Sequence, residues 1–346
     1  MSRDQNVDKV DEIRVVHFQR KRPDGRFSIE GYFDGMRSEM ESIEGITVQK
    51  VVMPFASEGV LRRIGNMMFA AMRQGDINHI TGDIHYVAAF LRRRRTLLTI
   101  HDLEILDRSA GWRRTLLRWL WFAMPVRRSG WVSVVSQATR RALCDELGIT
   151  EDRIAVVHTA ISGRFKPRPQ RFDTDCPRIL QIGTKANKNL PRLAAALSGL
   201  PCHVVVVGRM TSAQRTAFES AAVSFEEKIG LSDEAMLAEY HRSDLVSLVS
   251  TKEGFGMPIV EGNAVGRVVI TSDCSSMPEI ANDAAEQANP SDVDAIRKKF
   301  ENLFADAERR RWLVEAGFEN AKRFLPGKIA RSYVELYRRM HSARSG

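Results

Sequence analysis

The sequence has no long apolar segment and few cysteines. No run of about 18 or more apolar residues occurs among its 346 residues, so no transmembrane helix is predicted. The N-terminus, MSRDQNVDKVDEIRVV, is charged and lacks the apolar centre of a signal peptide. The four cysteines, Cys144, Cys176, Cys202 and Cys274, lie far apart and form no CxxC pair, which argues against a zinc site or a disulfide framework. These absences favour a protein of the reducing cytoplasm.

Positive charge is in excess. The net charge of +9 is compatible with nucleic acid, a membrane surface or an anionic substrate as partner. Residues 112–128 mix five arginines with tryptophan, leucine and phenylalanine. This pattern fits either an interfacial amphipathic element or a core helix with a basic edge. No nucleic-acid-binding motif is visible, so we do not expect nucleic acid as a partner.

Apolar strand-like segments alternate with helical segments along the whole chain, which predicts doubly wound α/β sheets. Residues 163–177 interrupt the alternation with three prolines, several charges and no hydrophobic period, which indicates a linker. We therefore predict two domains, residues 1–164 and residues 165–325. The Asp-x-Asp sequence at Asp292 and Asp294 is interpreted as the start of a helix rather than a metal site.

The stretch Leu245–Gly266 predicts a strand, a tight glycine loop and a helix. Gly254 and Gly256 let the backbone approach a ligand closely, and the helix N-terminus that follows suits an anion such as a phosphate. Two carboxylates, Glu253 and Glu261, are positioned to accept hydrogen bonds from hydroxyls. Phosphate and hydroxyl groups together indicate a nucleotide-sugar, although an ordinary βα turn with two solvated glutamates is the alternative.

A second loop with the same position, residues 183–189, follows a predicted strand and precedes a predicted helix. It carries Lys185 and Lys188, and lysine binds phosphate as a point charge. The alternative is a solvated basic loop.

Polar residues also collect at predicted strand ends in the first half of the chain. Asp83 and His85 follow one strand, and His101 and Asp102 follow the next. Because ligands of α/β proteins bind at the carboxyl ends of strands, these residues are candidates for a site. A structural role is the usual alternative for a lone histidine.

The segment EGFGMPIVE, from Glu253 to Glu261, resembles the E-x7-E signature of retaining GT-B glycosyltransferases, the "glycosyl transferases group 1" family, also called glycosyltransferase family 4. The downstream SDCSSMPEI resembles the following loop of that family, which ends in Pro-Glu. The resemblance implies an α/β, GT-B fold with two doubly wound parallel-sheet (Rossmann-like) domains that face a central cleft. It also implies that the last helix, in residues 326–346, crosses back to the N-terminal domain.

The resemblance implies a role for individual residues. Catalytic roles are expected for Glu253, Lys188 and His101. Donor contacts are expected from Lys185, Gly183, Gly254, Phe255, Gly256 and Glu261. Acceptor contacts are expected from Gly25, Asp83, His85 and Asp102. The chain departs from the family pattern at Thr184, where an arginine is usual, and at Arg267, where a proline is usual.

The function implied is that of a hexosyltransferase. It would move a sugar from a nucleoside diphosphate sugar to an acceptor hydroxyl with retention, in bacterial surface polysaccharide or lipopolysaccharide synthesis. No metal and no cofactor besides this co-substrate is expected. The expected partner is a saccharide or lipid-linked saccharide acceptor, with membrane-surface association through residues 112–128 at the inner face of the membrane. The alternatives are a sugar-nucleotide epimerase or hydrolase on the same fold and a non-catalytic nucleotide-sugar-binding protein.

Overall fold

Two parallel six-stranded sheets organise the computed structural model, which describes residues 12–21, 29–107 and 109–345. The strands of the first sheet are β1 (Ile13–Gln19), β2 (Ile46–Val52), β3 (Ile77–Ile80), β4 (Thr96–Ile100), β5 (Trp131–Val134) and β6 (Ile154–Val156). The strands of the second sheet are β7 (Arg178–Ile182), β8 (His203–Val207), β9 (Ser224–Lys228), β10 (Leu245–Leu248), β11 (Val268–Ser272) and β12 (Glu286–Ala288).

Helices connect successive strands and cover the faces of both sheets. The helices associated with the first sheet are α1 (Ile29–Met40), α2 (Val60–Ala71), α3 (Glu104–Asp107), α4 (Gly111–Leu117), α5 (Met124–Arg128) and α6 (Gln137–Leu147). The remaining helices are α7 (Leu190–Leu197), α8 (Ser212–Ser220), α9 (Asp233–Arg242), α10 (Met257–Val265), α11 (Met277–Ala281), α12 (Val293–Ala305), α13 (Ala307–Ala321) and α14 (Pro326–Ser345). None of the described helices is both long enough and apolar enough to cross a bilayer.

The strand orders are β2-β1-β3-β4-β5-β6 and β12-β11-β10-β7-β8-β9, which confirms the predicted doubly wound α/β class. The central strands are buried on both faces, so they are apolar without alternation, as in Val204–Val207. In the second sheet the order reverses between β7 and β10. The loops that follow these two strands therefore lie next to each other at the carboxyl edge, where ligands of such sheets bind.

Helix α14 packs on α1, β1 and β3 of the first sheet, although it follows helices of the second. A buried polar network joins it to the sheet. The Tyr337 hydroxyl lies 2.9 Å from Nε2 of His17 and 2.7 Å from Nδ1 of His79. Burial lowers the pKa of both histidines, that of His79 to about 3, so both rings are neutral and can share these bonds.

Some elements differ from the sequence predictions. Helix α8 and strand β9 were not predicted, because the polar sequence of β9, SFEEK, lacks the apolar signal of a strand and pairs only at the sheet edge. The region 112–128 forms α4 and α5 joined by a π-helical turn at Arg118–Ala123. Asp292 accepts a hydrogen bond from the Ala295 amide, so it caps α12 as predicted.

Candidate functional site

A cavity of about 260 Å³ lies between the two sheets, where the carboxyl ends of their strands face each other. The loops after β4, β7, β10 and β11 and the first turns of α6 form its walls. The cavity is lined by Asp102, Leu103, Glu104, Asp107, Ala138, Thr139, Ala142, Lys185, Ala186, Asn187, Lys252, Glu253, Gly254 and Ser275. Both domains therefore contribute ionisable side chains to one cleft.

The structure joins two predicted residues from different loops, Lys188 and Glu253. Lys188 Nζ donates to Oε1 of Glu253 at 2.6 Å, and both side chains are largely buried. Gly183 leaves room for the Lys188 side chain, because a Cβ at residue 183 would lie 2.9 Å from Cε of Lys188. The φ of +89° at Gly183 also favours glycine. The arrangement places a cation and a carboxylate side by side in the cleft, with an amide of Asn187 close to the same carboxylate oxygen at 3.5 Å.

The glycine loop before α10 touches the opposite domain. A Cβ at Gly254 would lie 2.5 Å from the backbone oxygen of His101, so only glycine permits this approach. Hydroxyls of Ser136 and Thr139 donate to the Gly254 carbonyl at 2.7 and 3.0 Å. These two hydrogen bonds to the Gly254 carbonyl fix the loop between β10 and α10 against the first domain.

Gly256 and Phe255 have different environments. Gly256 precedes α10 with a φ of +105°, which favours glycine, and no side chain caps this helix N-terminus. Phe255 is buried, with its ring 6.0 Å from that of His158 and 5.5 Å from that of Phe324. A donor contact by Phe255 would therefore come from its backbone.

Glu261 lies one turn inside α10 and is 9% exposed. Its carboxyl accepts a short hydrogen bond from the hydroxyl of Tyr240. Burial raises the pKa of Glu261 to about 7, although the bond from Tyr240 and nearby Arg164 act in the opposite direction. This carboxyl therefore changes charge near neutral pH.

Two ion pairs cross the cleft. Lys185 Nζ lies 2.6 Å from a carboxylate oxygen of Glu104, and Lys252 Nζ lies 2.6 Å from one of Asp107. Both acids belong to the short helix α3, which follows β4. An anion that binds to Lys185 would have to exchange with Glu104.

The predicted catalytic residue His101 and the predicted acceptor residues Asp102 and Asp83 belong to the first domain. His101 Nε2 donates a hydrogen bond to the backbone oxygen of Thr81 at 3.0 Å. Asp102 lines the cavity and accepts from the Glu104 amide at 2.9 Å. Asp83 pairs with Arg20 at 3.1 Å.

His85 does not join this group. His85 is 3% exposed, its Nδ1 bonds with the Trp121 backbone oxygen at 2.8 Å, and burial lowers its pKa. An acceptor contact by His85 stays a prediction that this burial does not favour. Gly25 lies outside the described residues.

The two departures from the family pattern have local explanations. The Thr184 hydroxyl donates to the Arg209 backbone oxygen at 2.7 Å and so closes the loop after β7. Arg267 is buried, and its guanidinium donates to backbone oxygens of Tyr240, Gly266, Arg168 and His241. Arg267 thereby joins the linker to the end of α9, a structural role away from the cleft.

Glu279, the last residue of the Pro-Glu motif, makes a contact between domains that the sequence did not reveal. Its carboxylate accepts from the Gln137 amide at 2.8 Å and from Nε2 of His158 at 2.9 Å. Burial acts to raise the pKa of Glu279, but these bonds outweigh it and hold the pKa below its usual range. The sequence could not predict this contact, because only the fold brings Glu279 next to Ser136, the N-cap of α6.

Among the described residues, no group of three or more His, Cys, Asp and Glu side chains could hold a metal ion. Lys185 and Lys252 line the cavity, and Lys188 lies beside it, paired with the lining residue Glu253. That the reaction needs no metal stays a prediction.

Two family models match adjoining parts of the chain. The model described as Glycosyl transferases group 1 matches residues 164–320, and the model of Glycosyltransferase Family 4 matches residues 33–162. The first contains the Lys188–Glu253 pair, and the second contains His101.

Characterised relatives are similar over most of this chain. O-antigen chain mannosyltransferase B of Escherichia coli is 24% identical over 259 residues, 67% of each chain. Serotype-specific mannosyltransferase WbdA of Escherichia coli is 23% identical over 241 residues, which are 62% of this chain and 29% of that protein. The crystal structure of a glycosyltransferase from Rickettsia africae superposes with a TM-score of 0.72 at 17% identity, over 95% of this chain and 98% of that one.

Proposed function

Because the chain belongs to the group 1 glycosyltransferases of family 4 and has their α/β, GT-B fold, we propose that it moves a sugar from a nucleoside diphosphate sugar to an acceptor hydroxyl with retention of configuration. The Lys188–Glu253 pair carries this proposal. It places an ammonium group suited to bind phosphate 2.6 Å from a carboxylate suited to accept hydrogen bonds from hydroxyls, in the cleft between the domains.

The chemical difficulty of this reaction is negative charge on the departing diphosphate. Lys188, the backbone amides near Gly254–Gly256 and the N-terminus of α10 would stabilise that charge. Lys185 would join them after exchange of its ion pair with Glu104. Preorganised donors of this kind typically contribute about 10²–10³-fold each to the rate. In this proposal they replace a metal ion.

The two carboxylates would orient the rest of the donor. Glu253 would accept hydrogen bonds from hydroxyls of the transferred sugar, and Glu261 from hydroxyls of the ribose. A hydrogen bond to a charged acceptor contributes about 1.5–3 kcal/mol. His101 would form the opposite wall of the sugar site, with its ring oriented by the bond from Nε2 to the Thr81 backbone oxygen. No side chain in the cavity is assigned as a nucleophile.

On the acceptor side, Asp102 and Asp83 are the candidate contacts. The O-antigen relative supports a role in bacterial surface polysaccharide or lipopolysaccharide synthesis, and mannosyl donors are the first to test because both relatives are mannosyltransferases. The acceptor would be a saccharide or a lipid-linked saccharide at the cytoplasmic face of the membrane, with residues 112–128 at the membrane surface.

A thermal-shift screen against UDP, GDP, ADP and CMP sugars tests donor binding, because a ligand of the folded state raises its melting temperature. The matched pair of variants is Lys188→Met and Lys298→Met, since Lys298 is exposed on α12 and does not line the cavity. The wild type and Lys298→Met should be stabilised by one class of donor, and Lys188→Met should not. An equal shift in Lys188→Met would contradict the assignment of Lys188.

Product analysis then identifies the reaction. Incubation with donor alone should leave the sugar nucleotide unconverted, and addition of an acceptor should release the nucleoside diphosphate. A new sugar nucleotide formed without acceptor would indicate an epimerase, and donor binding without turnover under any acceptor would indicate a binding protein.

A further inference from the structure

Helix α2 (Val60–Ala71) packs Met67 and Phe69 against the core but exposes other large apolar residues. The buried positions of this helix are Asn66 and Ala70, and the Asn66 amide bonds with the backbone of Phe55 and the hydroxyl of Tyr86. The exposed positions include Leu61 at 85% and Met72, just after the helix, at 74%. The packing of the domain does not explain why the opposite face of α2, away from Asn66, is apolar and exposed.

The exposed apolar residues of this region form one stripe. Their spacing of three or four residues places them along one side of a helix. They are Val60, Leu61, Ile64, Met68 and Met72. Of the 14 exposed large hydrophobic residues in the described part of the chain, 11 lie between residues 52 and 119, so the patch belongs to the first domain. Contiguous patches of this kind mark interaction surfaces.

The stripe continues onto the arginine-rich segment 112–128. The Arg63 guanidinium lies over the ring of Trp121 at 5.1 Å, which joins α2 to the π-helical turn. On that segment Trp112 is 72% exposed, and Leu116 and Trp119 are also exposed. The two helices therefore present one apolar surface, which we call the α2–α4 surface: residues 60–72 and 112–119.

Arginines dominate the charge at the border of the α2–α4 surface, with one acid, Glu58, just before α2. Residues 59–73 contain three arginines and residues 109–128 contain five, and neither stretch contains Asp or Glu. Arg114 and Arg118 pair with Glu146. Arg62 lies 3.9 Å from the exposed carboxylate of Glu58 and keeps 60% of its side chain accessible, and Arg113 is exposed. Apolar side chains bordered by arginines are complementary to the interface of an anionic bilayer.

The position of the surface relates it to the cleft. Val52 is the last residue of β2 and Phe55 follows it; both are exposed, and α2 is the next helix along the chain. Helices α3 and α4 follow the carboxyl end of β4, directly after His101 and Asp102. Because the carboxyl ends of parallel strands share one edge of the sheet, the α2–α4 surface begins at the edge that carries the candidate acceptor residues.

We propose that the α2–α4 surface docks on an anionic lipid bilayer, with α2 inserting its apolar stripe. This inference extends the membrane association proposed for residues 112–128 to a helix that the sequence did not single out. It gives the cleft access to an acceptor that is anchored in the same bilayer.

Vesicle flotation of the full chain tests the proposal. Wild type should float with vesicles of phosphatidylcholine and phosphatidylglycerol, and binding should fall with salt and with pure phosphatidylcholine. The double variant Leu61→Ser/Met68→Ser should lower the bound fraction at limiting lipid at least about tenfold. The control is Ile229→Ser, an exposed apolar residue of the second domain, and it should bind as the wild type does.

Three results would overturn the proposal. One is equal binding by wild type and the double variant, and another is absence of binding to anionic vesicles. The third is a wild-type dimer without lipid that the double variant converts to a monomer, since this would assign the surface to a second copy of the chain. The donor-induced thermal shift of the same variants, measured without lipid, keeps this test separate from that of the proposed transfer reaction.

Discussion

The charge of Glu261 should make the stability of the protein depend on pH in a way that one substitution removes. The carboxyl has a pKa of about 7 in the folded protein, because it is buried, against 4.5 ordinarily. Between these values the folded state binds a proton that the unfolded state does not. The contribution of Glu261 to stability is therefore fully present at low pH and is lost as pH rises towards 7.

The size of this effect follows from the pKa difference. One pKa unit corresponds to about 1.4 kcal/mol, so between about pH 5 and about pH 8 the contribution should fall by about 2–3 kcal/mol. Glu261→Gln keeps an acceptor for the Tyr240 hydroxyl but does not titrate. Buried His17 and His79, whose pKa values are lowered, act in the opposite direction at acidic pH, but they are common to both proteins and cancel in the comparison.

The assay is urea-induced unfolding of wild type and Glu261→Gln at about pH 5, 6.5 and 8. The free energy of unfolding of the wild type minus that of the variant should fall by about 2–3 kcal/mol across this range. Glu219→Gln, at an exposed position on α8, is the control and should leave the wild-type profile unchanged. A difference between wild type and Glu261→Gln that is constant with pH would refute the assignment of a raised pKa to this buried carboxyl.

Two further predictions concern the cleft. Gly254→Ala places a Cβ 2.5 Å from the His101 backbone oxygen, so this variant should separate the domains and lower kcat/KM at least about tenfold. The control is Gly163→Ala, where the added Cβ meets open space and kcat/KM should not change. Equal rates of the two variants would contradict the close approach of Gly254 to His101. Transfer should persist in EDTA, because lysines and backbone amides stabilise the diphosphate in this proposal; complete loss of activity that Mn²⁺ restores would contradict it.

The sequence was sufficient where one local pattern determines one local structure. Strands β7 and β8 and helix α7 are each a short apolar run between clear loop signals, so the sequence alone indicates them. Likewise, Ser136 and Ser232 each precede a helix and accept an amide hydrogen bond from its first turn, which is the usual behaviour of a serine at an N-cap. The glycine loop before α10 and the lysine loop after β7 were located for the same reason.

The sequence was insufficient where two distant segments meet. The Lys185–Glu104 and Lys252–Asp107 pairs depend on how the domains face each other, and no spacing along the chain encodes that arrangement. The same holds for Glu279 at the start of α6. The outward face of α2 was also hidden, since an amphipathic pattern does not tell which side of a helix is buried.

The central claim is that Glu253 orients the donor sugar for transfer, and turnover of Glu253→Gln tests it most directly. With the donor class found by thermal shift and a saccharide acceptor, the variant should keep the wild-type fold by circular dichroism but lose at least about 10²-fold in kcat, as removal of a preorganised polar group does. Glu219→Gln serves again as the exposed control and should turn over as the wild type does. An unchanged transfer rate in folded Glu253→Gln would contradict the account of this cleft.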